Sequence, residues 1–438
     1  MTIVIILLSI LLLILLITWA KFNPFLAFLI VSILSGLLLG IPLTDITKSV
    51  IKGIGDMLGE LVIIICVGAM LGKMVAESGA AQKISSVLMR VFGKKYFLWA
   101  MMVTGFIVGI PLFYNVGFVL LIPLIFSVVY QTKLPAVYVG LPMLSALSVT
   151  HGFLPPHPSP TALVAQFHAN LGLTLLYGLI VAIPAIIIAG PVFAQTLKKI
   201  DSKPLQTFQP KNIPENQLPG SFNSFLSSLL PVLLLIVTTM IPFLVKPAGG
   251  IEKLIVFFSD PVIVMLVCLL VITYTLGIAN GSSLKTVMDH YSDAVKDVAL
   301  ILLIVAGAGA LKQVFIDSGV SNEIGNRLQG LAINPLVLGW LIAGIIRVCL
   351  GSATVAGLTA ASIMLPVLQQ SHVNPSLMVL SIGAGSLLFS HVNDSGFWMF
   401  KEYFNLSIKD TIRSWSIMES IISVVGLAGV LILNIFIR

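Results

Sequence analysis

Long apolar runs constrain this chain more than any other feature of its sequence. Residues 3–17, 25–39, 173–189 and 423–437 consist almost entirely of aliphatic and aromatic side chains. Each run approaches the roughly 20 residues that an α-helix needs to cross a bilayer, whereas transmembrane barrels show short alternating segments. With 58% hydrophobic and 9% charged residues among 438, the sequence predicts an all-α polytopic membrane protein.

The N-terminal run, the cysteines and the net charge give no sign of a signal peptide, a disulfide or a nucleic-acid partner. No positive region precedes the N-terminal apolar run, and the first charge is Lys21, so we expect a first transmembrane helix and not a signal peptide. Cys66, Cys268 and Cys349 lie in apolar runs without metal-ligand spacing. We therefore expect no disulfide, metal or cofactor. The net charge of +7 is interpreted as a topology signal, because no soluble domain is large enough to bind nucleic acid.

A polar stretch, residues 197–221, divides the chain near its middle. Its prolines and polar side chains are typical of a linker. By the positive-inside rule, its lysines predict that it lies in the cytoplasm; they are Lys198, Lys199, Lys203 and Lys211. We interpret residues 1–196 and 222–438 as two repeats joined by this cytoplasmic linker.

The two halves resemble each other at a nearly constant spacing. Residues 68–88 align with 308–328, and the triplets Glu-Ser-Gly and Asp-Ser-Gly within them lie 240 residues apart. The same offset pairs His151 with His391. Further pairs at this offset are Gly117 with Gly357, Pro135 with Pro375, and Leu147 with Leu387. Upstream the offset is 237 residues, as in Pro24 with Pro261. These pairs predict an internal duplication.

Each repeat is predicted to hold five crossings and one re-entrant hairpin. In the first half the crossings are residues 2–18, 24–41, 58–75, 135–170 (broken) and 172–196. Residues 97–131 are too long for one helix at 1.5 Å per residue and are interrupted at 109–115, which indicates two half-helices. Because five is odd, the second repeat is expected to be inverted relative to the first. A count with the hairpins as full crossings stays open.

Four interruptions at membrane depth predict the functional site. The hairpin tips are residues 110–117 and 350–357, and the broken crossings are interrupted at 150–162 and 390–397. Non-helical backbone survives in a bilayer only where protein buries it or where it lines a wet cavity. Matching discontinuous helices in inverted repeats indicate a transporter's binding site. We therefore expect the four segments to meet near the midplane around a substrate.

Titratable residues at these interruptions suggest chemistry. Arg347 precedes the second tip, where an arginine is costly and must hold an anion, either a protein carboxylate or a substrate carboxylate. Asp394 is the only acid in the four segments. It suits proton carrying, and an N-cap on the following half-helix is its other possible role. His151, His157 and His391 lack the carboxylate or cysteine neighbours of a metal site.

Three motifs resemble the signature segments of the gluconate permease (GntP-type) family. They are HGFLPPHPSPTALV at 151–164, GSATVAGLTAASIMLP at 351–366 and SHVNDSGFWMFKEYFNLS at 390–407. The likeness runs over nearly the whole chain. It implies proton-coupled uptake of gluconate or a related hydroxy-carboxylate across the bacterial inner membrane. Likeness to the wider ion-transporter superfamily implies a homodimer with elevator-like alternating access, in which helices 1–3 and their repeat mates form the scaffold.

The resemblance carries over to individual residues. The matching positions are Thr150, His151, Pro155, His157 and Ser159 in the first motif, Ser352 and Thr354 in the second, and His391, Asn393, Asp394 and Ser395 in the third. The predicted substrate-binding residues are Asn115, Thr150, His151, Arg347, Ser352, Thr354, Ser390 and Asn393. Asp394, His391 and His157 are predicted to couple protons. Ser159 replaces a glycine found in many relatives, which leaves the choice of substrate open.

Other functions remain as alternatives. A permease for another small hydroxy acid, such as D-serine or glycerate, would use the same motifs. A sodium-coupled carboxylate symporter is also compatible, since carbonyls and hydroxyls build sodium sites. An enzyme is not expected, because the sequence has no HExxH motif, nucleophile elbow or phosphate loop. A channel would pass currents that do not require Arg347.

Overall fold

The computed structural model describes residues 2–110, 114–155, 157–205, 207, 213–244, 250–320, 323, 333–371 and 373–437. Within these ranges the chain is helical and contains no strand. Eight of the described helices are long and apolar enough to cross a membrane. The prediction of an all-α polytopic membrane protein is confirmed. Residues 111–113 of the first predicted hairpin tip lie outside the described residues.

Eight helices of the first half are described. They are α1 (Thr2–Thr18), α2 (Pro24–Leu38), α3 (Leu43–Glu77), α4 (Ala80–Gly109), α5 (Tyr114–Thr132), α6 (Ala136–Phe153), α7 (Pro158–Gln166) and α8 (Leu171–Ile187). A π-helical segment, Ile188–Val192, continues α8 towards the linker.

Ten helices of the second half are described. They are α9 (Ser221–Leu244), α10 (Gly250–Ser259), α11 (Pro261–Ile272), α12 (Leu284–Asp317), α13 (Pro335–Leu350), α14 (Ala353–Gln370), α15 (Pro375–Gly385), α16 (Ser395–Tyr403), α17 (Ile408–Thr411) and α18 (Ile417–Phe436). A π-helical segment, Ile412–Ser416, joins α17 to α18, so that one apolar helix runs through Ile408–Phe436.

Helix α3 begins fifteen residues before the predicted crossing at 58–75. Its first turns are polar and carry two surface ion pairs at helical spacing, Lys48 with Asp45 (2.7 Å) and Lys52 with Asp56 (2.5 Å). Such pairs stabilise an exposed helix by a few tenths of a kcal/mol each. Ile46 and Val50 of these turns also pack against Ala310 and Val314 of α12. The prediction at 58–75 covered only part of the helix, because the charged residues lower the hydropathy of its first turns.

Several helices start at a proline that follows an Asn or Asp cap. Proline suits the first helical position, because its fixed φ is helical and its missing N–H needs no partner there. The preceding side chain accepts hydrogen bonds from first-turn N–H groups. The caps are Asn23 of α2, Asp260 of α11, Asn334 of α13 and Asn374 of α15. Helices α2 and α11 thus begin in the same way, 237 residues apart.

The two longest helices cross with their backbones in contact. A Cβ atom on Gly53 of α3 would lie 2.3 Å from the carbonyl oxygen of Gly309 on α12. A Cβ atom on Gly309 would lie 2.5 Å from the carbonyl oxygen of Gly53. Only glycine on both sides permits this approach, which brings one long helix from each half into direct contact.

The linker is fastened to both halves over residues 202–205, which we call the strap. Ser202 accepts two first-turn N–H groups of α6, from Ala136 through its carbonyl oxygen (3.3 Å) and from Val137 through its hydroxyl (3.0 Å). Three residues later, the Leu205 N–H donates to the carbonyl oxygen of Tyr403 at the end of α16 (3.2 Å). The strap therefore joins the start of one broken crossing to the end of the other.

Candidate functional site

Asp394 lies at the centre of the second break, where it caps α16. Its Oδ1 accepts the Gly396 N–H at 3.0 Å. Its Oδ2 forms an ion pair with Arg347 Nη2 at 2.5 Å and accepts a hydrogen bond from the Ser390 hydroxyl. Both charged groups are buried, Arg347 with 4% and Asp394 with 8% of its surface exposed. The anion held by Arg347 in this structure is therefore Asp394, which also serves as the N-cap.

The turn between α13 and α14, which is the second predicted hairpin tip, packs directly against this break. Gly351 has φ +72°, and a Cβ there would lie 2.2 Å from the carbonyl oxygen of Asn393. The Asn393 amide donates to the carbonyl oxygens of Val348 (2.8 Å) and Cys349 (3.0 Å) at the end of α13. The His391 Nε2 also lies 2.9 Å from the Val348 carbonyl oxygen. These bonds satisfy helix-end carbonyls that would otherwise lack donors.

A π-helical segment orients Ser390. The indole of Trp415 donates to the Ser390 hydroxyl at 2.8 Å, and the Ser416 hydroxyl donates to the Ser390 carbonyl oxygen at 2.5 Å. Short π-helical segments within α-helices are frequent at functional sites. Ser390 contacts Asp394 directly, so the segment holds the carboxylate in place through one intermediate hydroxyl.

The first break is built around histidines and has no ion pair among its described residues. The Nε2 of His157, just before α7, lies 2.8 Å from the carbonyl oxygen of Gly109 at the end of α4. Its ring is 5.4 Å from that of His151, which in turn is 6.2 Å from that of Tyr114. The Thr150 hydroxyl donates to the Leu147 carbonyl oxygen of its own helix (2.9 Å) and is fully buried.

A cavity of about 570 Å³ lies between the two breaks and the two hairpins. Seven predicted site residues line it: Asn115, His151, Arg347, Ser352, Thr354, Asn393 and Asp394. The other four lie behind the wall and bind neighbouring groups: Thr150, His157, Ser390 and His391. The structure thus brings residues from all four interruptions to one place.

The cavity reaches the surface beside α3, the start of α11 and the end of α12. Glu60 and Asp260, both exposed, and the half-buried Lys312 form this rim. Lys312, near the end of α12, therefore lines the entrance to the cavity.

Among the lining residues that sequence reasoning did not assign to the site are Tyr114, Ser148, Trp415 and Glu419. Glu419 is the most informative, because it is an acid within the apolar helix Ile408–Phe436 and only 1% of its surface is exposed. Ionisable residues inside membrane helices mark functional sites. The sequence therefore carries a signal for Glu419, but that signal lies outside the four interrupted segments.

Metal binding finds no support in the described part of the chain. Among those residues, no three His, Cys, Asp or Glu side chains form a group that could hold a metal ion. The cavity wall offers one buried guanidinium, two buried carboxyl groups, and several hydroxyls and amides. Such a set suits a small polar organic anion.

The chain is similar to known permeases and transporters over almost its whole length. The chain matches the model of a family described as GntP family permease over residues 1–436. A high-affinity gluconate transporter of Escherichia coli (strain K12) is 46% identical over 438 residues, covering 100% of both chains. The gluconate permease of Bacillus subtilis (strain 168) is 44% identical over 99% of this chain and 100% of its own. A Gnt-II system L-idonate transporter of E. coli K12 is 42% identical over 99% of each chain.

Proposed function

The chain belongs to the GntP family of permeases and is a multi-pass inner-membrane protein, and on this premise we propose that it takes up gluconate or a related sugar acid together with protons. Two of the relatives above are named for gluconate and one for L-idonate. Gluconate is therefore the first candidate substrate. A neighbouring sugar acid is the second, ahead of D-serine, glycerate or a dicarboxylate.

The placement of Arg347 is the single observation that carries this proposal. Its guanidinium is buried at the cavity wall, and its Nε has no hydrogen-bond partner among the described residues. A guanidinium binds a carboxylate through two parallel N–H groups. The unpaired Nε leaves one N–H donor of the guanidinium free for a second anion, and the substrate carboxylate fits this role.

The polyol part of a sugar acid needs many donors and acceptors, and the wall supplies them. Asn115, Ser352, Thr354 and Asn393 line the cavity, and Asn393 Oδ1 has no partner among the described residues. Helices α14 and α16 both begin at this wall, at Ala353 and Ser395. The positive ends of their dipoles add favourable potential for an anion.

Shared use of Arg347 couples the anion to a proton. When a substrate carboxylate takes up N–H groups of Arg347, Asp394 loses part of its counter-charge. A buried carboxylate without compensation costs several kcal/mol, and a proton on Asp394 removes that cost. Anion and proton therefore bind best together. His391 and His157 stand behind the wall as further candidates for the proton path.

We further propose that residues 1–196 and 222–438 are inverted repeats joined by the cytoplasmic linker 197–221. Matching lengths support this: α3 and α12 have 35 and 34 residues, and α7 and α16 have nine each. Helices α1–α3 and their mates would form the scaffold of a homodimer, and the hairpins with the broken helices would be the moving part. The rim at Glu60 and Asp260 lies on the face that this topology assigns to the outside.

Uptake into proteoliposomes tests the proposed function. We expect labelled gluconate to accumulate when a pH gradient, acid outside, is imposed without sodium. Unlabelled gluconate and L-idonate should compete most strongly, and D-serine, glycerate, fructuronate and dicarboxylates weakly or not at all. A sodium requirement would favour the sodium-coupled alternative, and an absence of gluconate uptake would show that the substrate assignment is wrong.

A further inference from the structure

A second buried carboxyl group, Glu419, faces the same cavity as Asp394. It lies in the first turn of α18, and the described part of the chain places no cation within ion-pair distance of it. Its Oε1 accepts a hydrogen bond from the Ser148 hydroxyl of α6 at 2.6 Å. Its Oε2 is buried and has no hydrogen-bond partner among the described residues.

The two carboxyl groups differ sharply in how their charge is compensated. Asp394 receives the Arg347 guanidinium, the Ser390 hydroxyl and the Gly396 N–H. Glu419 receives a single neutral hydroxyl from Ser148. An ionised carboxylate buried in a membrane protein is costly unless it is paired or well hydrogen-bonded, whereas a protonated one is neutral. Glu419 as placed here is therefore arranged to hold a proton.

The ionisable groups around Glu419 come from several elements. Arg347 on α13, Asp394 at the start of α16 and Tyr114 on α5 interact with it electrostatically. His151 on α6 lines the same cavity. The sequences of α8 and α15, which also pack against α18, contain no Asp, Glu, Lys, Arg or His. Lys312, Glu60 and Asp260 line the same cavity at its rim. Arg347 is the one buried cation among the described lining residues, and its Nη2 is paired with Asp394.

We propose that Glu419 carries a second proton of the symport, in addition to the one on Asp394. This inference rests on the proposed function, because a coupled proton needs a transported substrate. Glu419 takes the proton from water in the cavity while the cavity is open to the outside. It releases that proton to water on the other face, where the ionised form is again solvated. Transport then moves two protons with each sugar acid.

Proton stoichiometry, measured as a reversal gradient, tests this directly. In proteoliposomes held at zero membrane potential, the gluconate gradient at which net flux reverses rises about tenfold per pH unit for each coupled proton. With a gradient of one pH unit, we expect the wild type to reverse at about 100-fold and Glu419→Gln at about tenfold. Glutamine keeps an acceptor for Ser148. Glu215→Gln, the same change at an exposed linker residue, should reverse as the wild type does.

The possible outcomes separate the two proposals. No gluconate flux in the wild type contradicts the proposed function itself. Wild-type reversal at about tenfold, or Glu419→Gln reversal at about 100-fold, contradicts only the second proton. The reversal gradient does not depend on how much protein folds. If Glu419→Gln carries no flux, Glu419→Asp decides: reversal at about 100-fold supports the proposal, and loss of flux in both variants overturns it.

Discussion

The two broken crossings fix their neighbouring hairpins in the same way but carry different chemistry. In the first half, His157 lies 2.8 Å from the carbonyl oxygen of Gly109 at the end of α4; in the second, His391 lies 2.9 Å from that of Val348 at the end of α13. Among the described residues only the second break has an ion pair beside it, and residues 134–197 contain no Asp, Glu, Lys or Arg. The comparison teaches that matching bonds to helix-end carbonyls hold both breaks, while the charge suited to an anion and a proton lies in one half.

Arg347→Ala gives the largest expected effect, because it removes the buried cation of the cavity wall and leaves Asp394 buried without its partner. Breaking a buried pair in this way costs about 3–5 kcal/mol. We expect gluconate uptake in proteoliposomes to fall about 100-fold or more. Arg413→Ala, which alters an exposed arginine of the same half, should keep wild-type uptake. If Arg347→Ala keeps uptake within about tenfold of the wild type, the second half does not supply the charge that binds the anion.

Gly351→Ala ranks next and tests the contact between tip and break. The alanine would have to adopt a positive φ, and its Cβ would lie 2.2 Å from the Asn393 carbonyl oxygen. We therefore expect the variant to lose about 2–4 kcal/mol of stability. Gly40→Ala is the control, since Gly40 has φ +80° and a Cβ there would have no neighbouring atom within 4 Å. That change should cost about 1 kcal/mol. Thermal unfolding in detergent compares the two, and equal costs would contradict the close packing described here.

Asp394→Asn tests the charge of the second break separately from its structure, because the substitution removes the carboxylate charge and keeps the helix cap. Asparagine still accepts the Gly396 N–H, but Arg347 then lacks a fully charged partner. A substrate carboxylate becomes that partner, so we expect gluconate to raise the unfolding midpoint of Asp394→Asn by about 2 °C or more beyond its effect on wild type. Asp293→Asn, at an exposed surface pair, should respond like wild type. If gluconate stabilises all three proteins equally, the pair is structural only.

His157→Ala and His391→Ala should have the smallest effects, with His157→Ala the larger of the two. Each removes one hydrogen bond to a buried helix-end carbonyl, which costs about 1–2 kcal/mol where no other side-chain donor remains. The Val348 carbonyl keeps the Asn393 amide as a donor, so we expect the unfolding midpoint to fall less for His391→Ala than for His157→Ala, with His290→Ala on α12 as the control. Loss of uptake driven by a pH gradient in His157→Ala would contradict the comparison, because the first half would then also take part in proton transfer.

Much of this arrangement was predictable from the sequence because it depends on local rules. Asn23 before Pro24 and Asp260 before Pro261 predict helix starts, and the clustered prolines after His151 predict a break. Arg347 and Asp394 stood out as charges among apolar neighbours. Local patterns of this kind need no knowledge of distant contacts.

The rest depended on contacts between residues far apart in the chain. Arg347 and Asp394 are 47 residues apart, and Ser148 and Glu419 are 271 apart. Nothing in either neighbourhood specifies the other, so the sequence left the partner of Arg347 open between protein and substrate. The direction of a hydroxyl is equally non-local: Thr150 bonds within its own helix, although its motif predicted a contact with substrate.

The strap has a mechanical consequence. Ser202 holds the first turn of α6 and Leu205 holds the last residue of α16, and three residues of chain span at most about 10 Å. Neither broken helix can tilt far without pulling on the other, so the strap couples the positions of the two helices. Glycines inserted between Lys203 and Pro204 would add slack while leaving each anchor intact. On the proposal that the broken helices belong to the moving part, such a chain should still bind its substrate but transport it more slowly, because the two helices would no longer move together.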